Sequence, residues 1–575
     1  MSTFAEWRAQ VDKELAGASF EKLIHRVDGL AIQPLYTERV ASVVPAPSVD
    51  AFEICMRVDP VAAANLSGGS IAAHAAGAAA RARGSARAAA IKDDLDGGAQ
   101  ALWVADGDRD AIAAALAAGA GLVVDAVGTP RIEQFKAVMH ARRALLGFDP
   151  IDEVWRGELD ASNLPRRLNE LGSFVAKVDA QRETGSLGKK DHAVRVVRIS
   201  TLPYHAAGGD AAIELAIVLA AMTTYMRAFE REGVSPEMVA RNAWVQIAVG
   251  RDTFGELCKL RALRVVWAKL FGAAGVTAVP EVHAVCSSRT QSLRDSWVNM
   301  LRVTTEVFAA VLGGAHVVTP LAFDEAFGVV SPLGRRAARN TALVLREESH
   351  LGRVIDAAGG SYYVEARTDA LAREAWSRFQ AIERAGGLIT QVPAMREALE
   401  ALWTERAQAI AKRKEPVLGV NEFANLDEKL PAPLPASGGA GHRDAEAFET
   451  LRARVEGKVP VTLFTLGPAS EHRGRLGYAQ AFFAVAGWRT AEVAFVDKPE
   501  SVAAAAPNGV AAICGSDERY AAEAVVAARA LRTAGYKHVV LAGRGGTLEK
   551  SLREAGVDTF IFVGCDVLAT LGGLS

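Results

Sequence analysis

Short apolar runs rich in β-branched residues recur through the first two thirds of the chain, separated by Ala-rich stretches of helical character. Eight runs stand out: Ala51–Val58, Ala101–Val104, Leu122–Val127, Phe174–Val178, Val194–Ile199, Trp244–Val249, Val282–Cys286 and His316–Thr319. Most are continuous rather than alternating, the pattern of parallel strands covered on both faces. Eight strands with intervening helices are what a (β/α)8 TIM barrel requires, and the pattern predicts one over residues 51–415, closed by helices at Asp369–Ala385 and Ala394–Lys412. A doubly wound sheet would leave much the same trace. Residues 1–50 read as an arm: Trp7, Val11 and Leu15 fall near helical spacing, but the segment holds too little apolar surface for a core of its own. Residues 416–457 read as a linker, marked by Pro431, Pro433, Pro435 and the Gly438-Gly439 pair. The pattern restarts over 458–575, with strands predicted at Val461–Thr465, Thr490–Phe495, Val510–Cys514, His538–Ala542 and Thr559–Val563 and helices at Arg475–Ala486 and Tyr520–Ala534. That is a five-stranded, flavodoxin-like doubly wound unit, whose ligands belong beyond the carboxyl ends of the strands.

A length of 575 residues exceeds one hydrophobic core and agrees with two or three domains. A net charge of −2 and a pI near 6.6 give no basic footprint, so nucleic acid is not expected as a partner. The most apolar stretches, such as Ala111–Val124, are flanked by Asp and fall short of the ~20 apolar residues of a membrane span, so no membrane is expected either. The N-terminus runs from Trp7 into Asp12, Lys13 and Glu14 without the apolar centre of a signal peptide. Cys55, Cys258, Cys286, Cys514 and Cys565 form no Cys-x-x-Cys pair and have no histidine at metal-ligand spacing, which suits reduced thiols in a cytoplasm.

A set of segments then carries a family resemblance: Gln33-Pro34-Leu35-Tyr36-Thr37, Ile91–Trp103, Ile199-Ser200, Lys259–Trp267, Ala309–Gly314, Asp324-Glu325-Ala326, Ala338–Thr341, Glu347-Glu348-Ser349, Gly359–Glu365 and Gly419–Phe423. In this order and spacing the chain resembles, over essentially its whole length, the acyl-CoA mutases that use adenosylcobalamin. The resemblance implies a barrel threaded by a coenzyme A thioester and a C-terminal domain that holds the corrin at the barrel mouth, with the radical chemistry residing on the cofactor.

The chain departs from the catalytic subunits of that family in a consistent direction. Their Asp-x-His-x-x-Gly motif, whose histidine ligates cobalt and whose acid orients it, places His472 at the ligand, Ser470 at the acid and Arg475 at the glycine. Their Ser-x-Leu, Gly-Gly and Gly-Pro-Gly-Thr segments, which line the slot for the nucleotide tail, read Gly515-Ser516-Asp517, Gly543-Arg544 and Val563-Gly564-Cys565-Asp566. Arg475, Asp517, Arg544 and Asp566 thus bring charges into a slot built for a largely neutral group, and they are expected to pair and fill it. In the barrel, Asn65-Leu66-Ser67-Gly68-Gly69 stands where the family has a tyrosine-bearing segment. The Tyr-His pair is displaced by two residues, to Tyr204 and His205, and His283-Ala284-Val285-Cys286-Ser287-Ser288 lacks the glutamine of the family's His-x-Gln.

The weak catalytic candidates are therefore Tyr204, His205 and His283, and the weak metal candidate is His472; packing at a barrel rim, a hydrogen-bonded core histidine and a helix-cap residue are the plainer readings of them. Cys286 has no evident partner histidine and is not expected as a nucleophile. Gly543, Gly545 and Gly546 lack the Lys-Ser/Thr of a phosphate loop and read as a tight turn. The pattern resembles the small subunits of two-chain mutases. It implies a heterodimer in which a large catalytic subunit binds adenosylcobalamin and interconverts methylmalonyl-CoA and succinyl-CoA, while this chain holds no cofactor. Alternatives are a complete mutase for another acyl-CoA, using His472, Tyr204 and His205, and a recruiter of the metallochaperone GTPase associated with the family.

Overall fold

A computed structural model describes residues 3–27, 29–40, 44–47, 52–58, 87–105, 107–183, 194–328, 330–429, 441–457, 459–494 and 509–575. The chain divides into two units, one of Met1–Ser288, Met300–Phe323 and Val330–Glu400, the other of Arg289–Asn299, Asp324–Val329 and Ala401–Ser575. In the first, helix Phe4–Glu14 begins with a capping box in which Thr3 and Glu6 satisfy each other's backbone amides. An antiparallel hairpin of β1 (His25–Val27) and β2 (Leu30–Ile32) follows.

Eight parallel strands then close a barrel: β3 (Glu53–Arg57), β4 (Ala101–Ala105), β5 (Gly121–Asp125), β6 (Ala144–Phe148), β7 (Val194–Ser200), β8 (Ala243–Val249), β9 (Glu281–Cys286) and β10 (Val317–Thr319). Closure is made by β10, which pairs with β9 on one side and places Val317 opposite Glu53 of β3 on the other.

One predicted strand is corrected. Phe174–Val178 lies inside helix Leu164–Glu183, and the fourth strand is Ala144–Phe148. The buried residues Leu164, Leu168, Leu171, Val175 and Val178 recur in steps of three and four, which is helical periodicity. The true strand, Ala-Leu-Leu-Gly-Phe, is a short run with a glycine inside it and gives no such signal.

Helix Ala211–Glu230 is long and apolar enough to cross a membrane by length and composition, contrary to the expectation that no stretch reaches that length. Its residues Ala211 to Met222 are all buried, and it packs against helices Leu164–Glu183 and Tyr362–Arg384 of the same unit. Inside the barrel, Cys55, Ala101, Trp103, Val123, Leu145, Trp244, Val285 and Val317 come from seven of the eight strands and form one cluster. Two tryptophans dominate its volume, and Trp244 Nε1 donates to the Leu146 carbonyl at 2.8 Å.

The second unit carries a parallel sheet of β11 (Val461–Thr465), β12 (Thr490–Ala494), β13 (Val510–Cys514), β14 (His538–Ala542) and β15 (Thr559–Ile561), in the order β12-β11-β13-β14-β15. This is the flavodoxin-like order. Phe482, Phe483 and Trp488 pack on one face of the sheet, and Tyr520, Leu531 and Leu552 on the other. The helix after β11 runs from Ala469 to Ala484, so it begins six residues before the predicted Arg475.

Candidate functional site

Strand β7 delivers the chain at Ser200 directly into the short helix Leu202–Ala206, with Pro203 in its first turn. Both residues of the displaced Tyr-His pair point into the unit, and each is only 3% exposed. The Tyr204 ring lies 4.6 Å from that of Trp155. Burial, with Asp149 and Asp152 nearby, raises the Tyr204 hydroxyl well above its ordinary pKa. His205 Nδ1 stands 2.8 Å from Glu214 Oε1 and its Nε2 stands 2.7 Å from Ser287 Oγ. Glu214 also accepts from Thr201 Oγ1 at 2.7 Å, and Lys259 Nζ reaches it at 3.4 Å while donating to the Ala248 carbonyl at 2.8 Å.

His283, on β9, is fully enclosed. Gln246 Nε2 donates to its Nδ1 at 3.3 Å and its Nε2 donates to Thr319 Oγ1 at 2.8 Å, with the Trp103 and Trp244 rings 5.4 and 6.3 Å away. Burial, aided by the Arg198 charge, depresses its pKa to about 3. Cys286 is also buried, and burial followed by the charge of Glu306 pushes its thiol pKa well up, opposite to what a nucleophile needs. Glu214 lies in none of the segments quoted from the sequence, and Lys259 and Ser287 stand there only within Lys259–Trp267 and His283–Ser288, with no role assigned to them. The signal available was an acid within the apolar Ala211–Met222 run, since a buried charge demands a partner. The Asn65–Gly69 stretch lies outside the described residues.

At the carboxyl edge of the second unit's sheet, Arg475, Asp517, Gly543 and Arg544 of the predicted slot line an open cleft of about 830 Å³, together with Tyr520, Leu548 and Phe562. The expectation of a filled slot is therefore corrected. The charged side chains lie along the walls instead of filling the space. Arg475 donates to the Gly515 carbonyl at 2.7 Å and to Asp517 Oδ1 at 2.5 Å, with its guanidinium 4.7 Å over the Tyr520 ring. The Arg544 guanidinium lies 4.3 Å over Phe562. Asp566 turns away to cap helix Val567–Gly573, accepting from the Ala569 amide at 2.9 Å.

The arrangement does not fit a corrin ligated through His472. That residue is the fourth of helix Ala469–Ala484, is 7% exposed, and has its Nδ1 3.2 Å from the Gly467 carbonyl. Ser470, at the place of the orienting acid, is exposed and has no carboxylate to offer. No imidazole lines the cleft.

A closed parallel eight-stranded barrel and a 2-1-3-4-5 parallel sheet in one chain are the architecture that the resemblance to the acyl-CoA mutases implies. The profile of the methylmalonyl-CoA mutase family matches residues 187–479. The chain is 35% identical to the methylmalonyl-CoA mutase small subunit of Streptomyces virginiae, over 99% of this chain and 96% of that one. It is 36% identical to the small subunit of Propionibacterium freudenreichii subsp. shermanii, over 70% of this chain and 65% of that one. To the large subunit of Streptomyces virginiae it is 34% identical, over 40% of this chain and 33% of that one. The chain belongs to the methylmalonyl-CoA mutase family and groups there with the small subunits.

Proposed function

We propose that this chain is the small, non-catalytic subunit of a cytoplasmic, two-chain methylmalonyl-CoA mutase, and that its large partner binds adenosylcobalamin and interconverts methylmalonyl-CoA and succinyl-CoA. The observation that carries this reading is the filled barrel. Trp103 and Trp244, 7% and 0% exposed, meet His283 in the interior through which the family resemblance would pass a coenzyme A thioester. A close-packed interior admits no such chain without displacing those rings. The engaged imidazoles of His205, His283 and His472 support the same reading, because each is committed to partners within its own unit.

The test is to purify the chain alone, incubate it with excess adenosylcobalamin, and measure cobalt per chain and mutase turnover. Both are expected near zero. Co-expression with a large subunit is expected to give an equimolar, active, cobalt-bearing complex. Stoichiometric cobalt, or turnover by the isolated chain, would overturn the reading.

A further inference from the structure

We propose that the Asp149 carboxyl is a proton-operated latch at the carboxyl edge of the barrel, holding the corner between helix Pro150–Arg156 and the end of β7 tightly when protonated and loosely when ionised. The side chain joins three elements of the first unit and is only 3% exposed. Its Oδ1 accepts from the Asp152 amide at 3.2 Å, which caps helix Pro150–Arg156, and from the Tyr225 hydroxyl of helix Ala211–Glu230 at 2.6 Å. Its Oδ2 accepts from the amide of Ser200, the last residue of β7, at 3.0 Å. The strand ladder does not hold this corner by itself, because the pairing of β6 with β7 shifts register between Leu145 and Phe148, immediately before Asp149.

The charges around Asp149 do not balance. Arg198 of β7 reaches Asp125 of β5 at 2.8 Å, Asp152 at 3.4 Å and Asp149 itself at 4.0 Å, and Arg156 takes the other oxygen of Asp152 at 2.8 Å. Three carboxylates thus share two guanidiniums, and two of the three, Asp149 and Asp152, are buried. Glu153 on the same helix is matched separately by Arg167 at 2.9 Å. Beyond them stand Tyr204 of helix Leu202–Ala206, whose hydroxyl burial keeps protonated, and Arg396 of helix Val392–Ala411, which lies 4.2 Å over the Trp155 ring and donates to the Trp155 carbonyl. An excess anion held away from water is relieved by taking up a proton above the ordinary carboxylate range. Burial and then Asp152 raise Asp149 to about 6, against the pull of Arg198, Tyr225 and Ser200.

A proton on Oδ1 meets the Tyr225 hydroxyl, which can turn to accept its hydrogen bond, so the closed corner accommodates the neutral acid. When the corner opens to water, Asp149 returns toward its ordinary 3.8, and opening below about pH 6 therefore releases a proton. Acid accordingly favours the closed corner, and neutral pH lets it open more often. The corner has reach across the barrel mouth. Trp155, on the helix that Asp149 caps, lies 4.6 Å from the Tyr204 ring, and the neighbouring His205 holds Ser287, just past β9, at 2.7 Å. Loosening at Ser200 is thereby passed from the exit of β7 to the exit of β9.

Hydrogen exchange of the full chain, read by mass spectrometry on peptides covering 200–206 and corrected for the chemical exchange rate at each pH, tests this. Protection of that segment is expected to rise about tenfold from about pH 7.5 to about pH 5, with no such step in the β8 segment. Asp149→Asn keeps a capping side chain that cannot ionise and is expected to abolish the step. It leaves His205 with Glu214 and Ser287 in place, so a step arising from that imidazole would survive the substitution. Asp152→Asn removes the neighbouring charge and should move the step to lower pH, whereas Tyr225→Phe removes a donor to the ionised form and should move it to higher pH. A purely structural role would shift neither midpoint. Circular dichroism confirms that each variant is folded. No step in the parent, a step retained in Asp149→Asn, an equal step in the β8 segment, or midpoints of Asp152→Asn and Tyr225→Phe displaced in the same direction would each overturn the assignment. None of these outcomes touches the cobalt measurement on the isolated chain, so the two proposals fail separately.

Discussion

The buried polar residues of the barrel unit are held in fixed hydrogen-bond and ion-pair networks. His283 accepts at Nδ1 and donates at Nε2, so a second proton would face the Gln246 amide nitrogen. Its folded pKa of about 3, against an ordinary 6.5, means that the unfolded chain takes up the proton first. Stability from this residue is therefore present above pH 6.5 and lost as pH falls toward 3. Between about pH 7 and about pH 5 the loss amounts to roughly 2 kcal/mol. His283→Gln is expected to flatten that part of the barrel's acid unfolding curve; an identical slope in the variant would exclude His283 as the titrating group. Asp149 acts in the opposite sense. Burial and then the neighbouring Asp152 raise its carboxyl to about 6, so its protonation from that pH downward favours the fold and must be held common to both proteins. Lys259 and Glu214, each 1% exposed at the side chain, form the second such unit. Lys259 also pairs with Glu256 Oε2 at 2.6 Å, so Lys259→Met leaves two carboxylates without their shared cation and is expected to cost about 3–5 kcal/mol; adding Glu214→Gln, whose partners Thr201 and His205 remain, should recover part of it in thermal unfolding. The sequence displays both charges within apolar runs, but nothing in their spacing says that they meet or that His205 and Ser287 join them.

At the scale of elements, what was legible follows how each residue's contacts are distributed along the chain. The seven correctly read barrel strands and all five strands of the C-terminal sheet announce themselves as β-branched runs bounded by turn residues, a local signal. Ala144–Phe148 lacks one, and Phe174–Val178 mimics one although its burial repeats with the period of the surrounding helix. The early start of helix Ala469–Ala484 was missed for a related reason. Ala469-Ser470-Glu471-His472 reads as the loop that the family resemblance requires, whereas Pro468 in extended conformation simply opens a helix. Asp566 shows the same competition. Its position in the slot suggested an ion within the cleft, but an acid before Val567–Gly573 is a helix cap. Asp566→Ala is expected to lower the stability of the C-terminal unit by about 1 kcal/mol, whereas Asp517→Asn, which breaks an exposed pair, should stay within about 1 kcal/mol of the parent. Urea unfolding followed by tryptophan fluorescence measures both, with Trp488 as the buried reporter of this unit.

Across the whole molecule, the architecture of the mutase family is kept, and the barrel interior is packed with side chains. Stability and chemistry therefore place separable demands on the chain, and variants can be chosen to probe one without the other. Trp244 is fully buried and bonded through its indole nitrogen, so Trp244→Ala leaves a large cavity and is expected to cost about 3–5 kcal/mol. If the large subunit carries the chemistry, that loss lowers the yield of assembled complex but not the turnover per assembled pair. His472→Ala should change neither, because among the described residues the imidazole is hydrogen-bonded to the Gly467 carbonyl of its own loop. The decisive measurement is activity divided by the amount of equimolar complex recovered after co-expression. A fall in that ratio with His472→Ala, at unchanged cobalt content per complex, would mean that the buried imidazole serves the reaction after all and that the division of labour between the two chains is drawn in the wrong place.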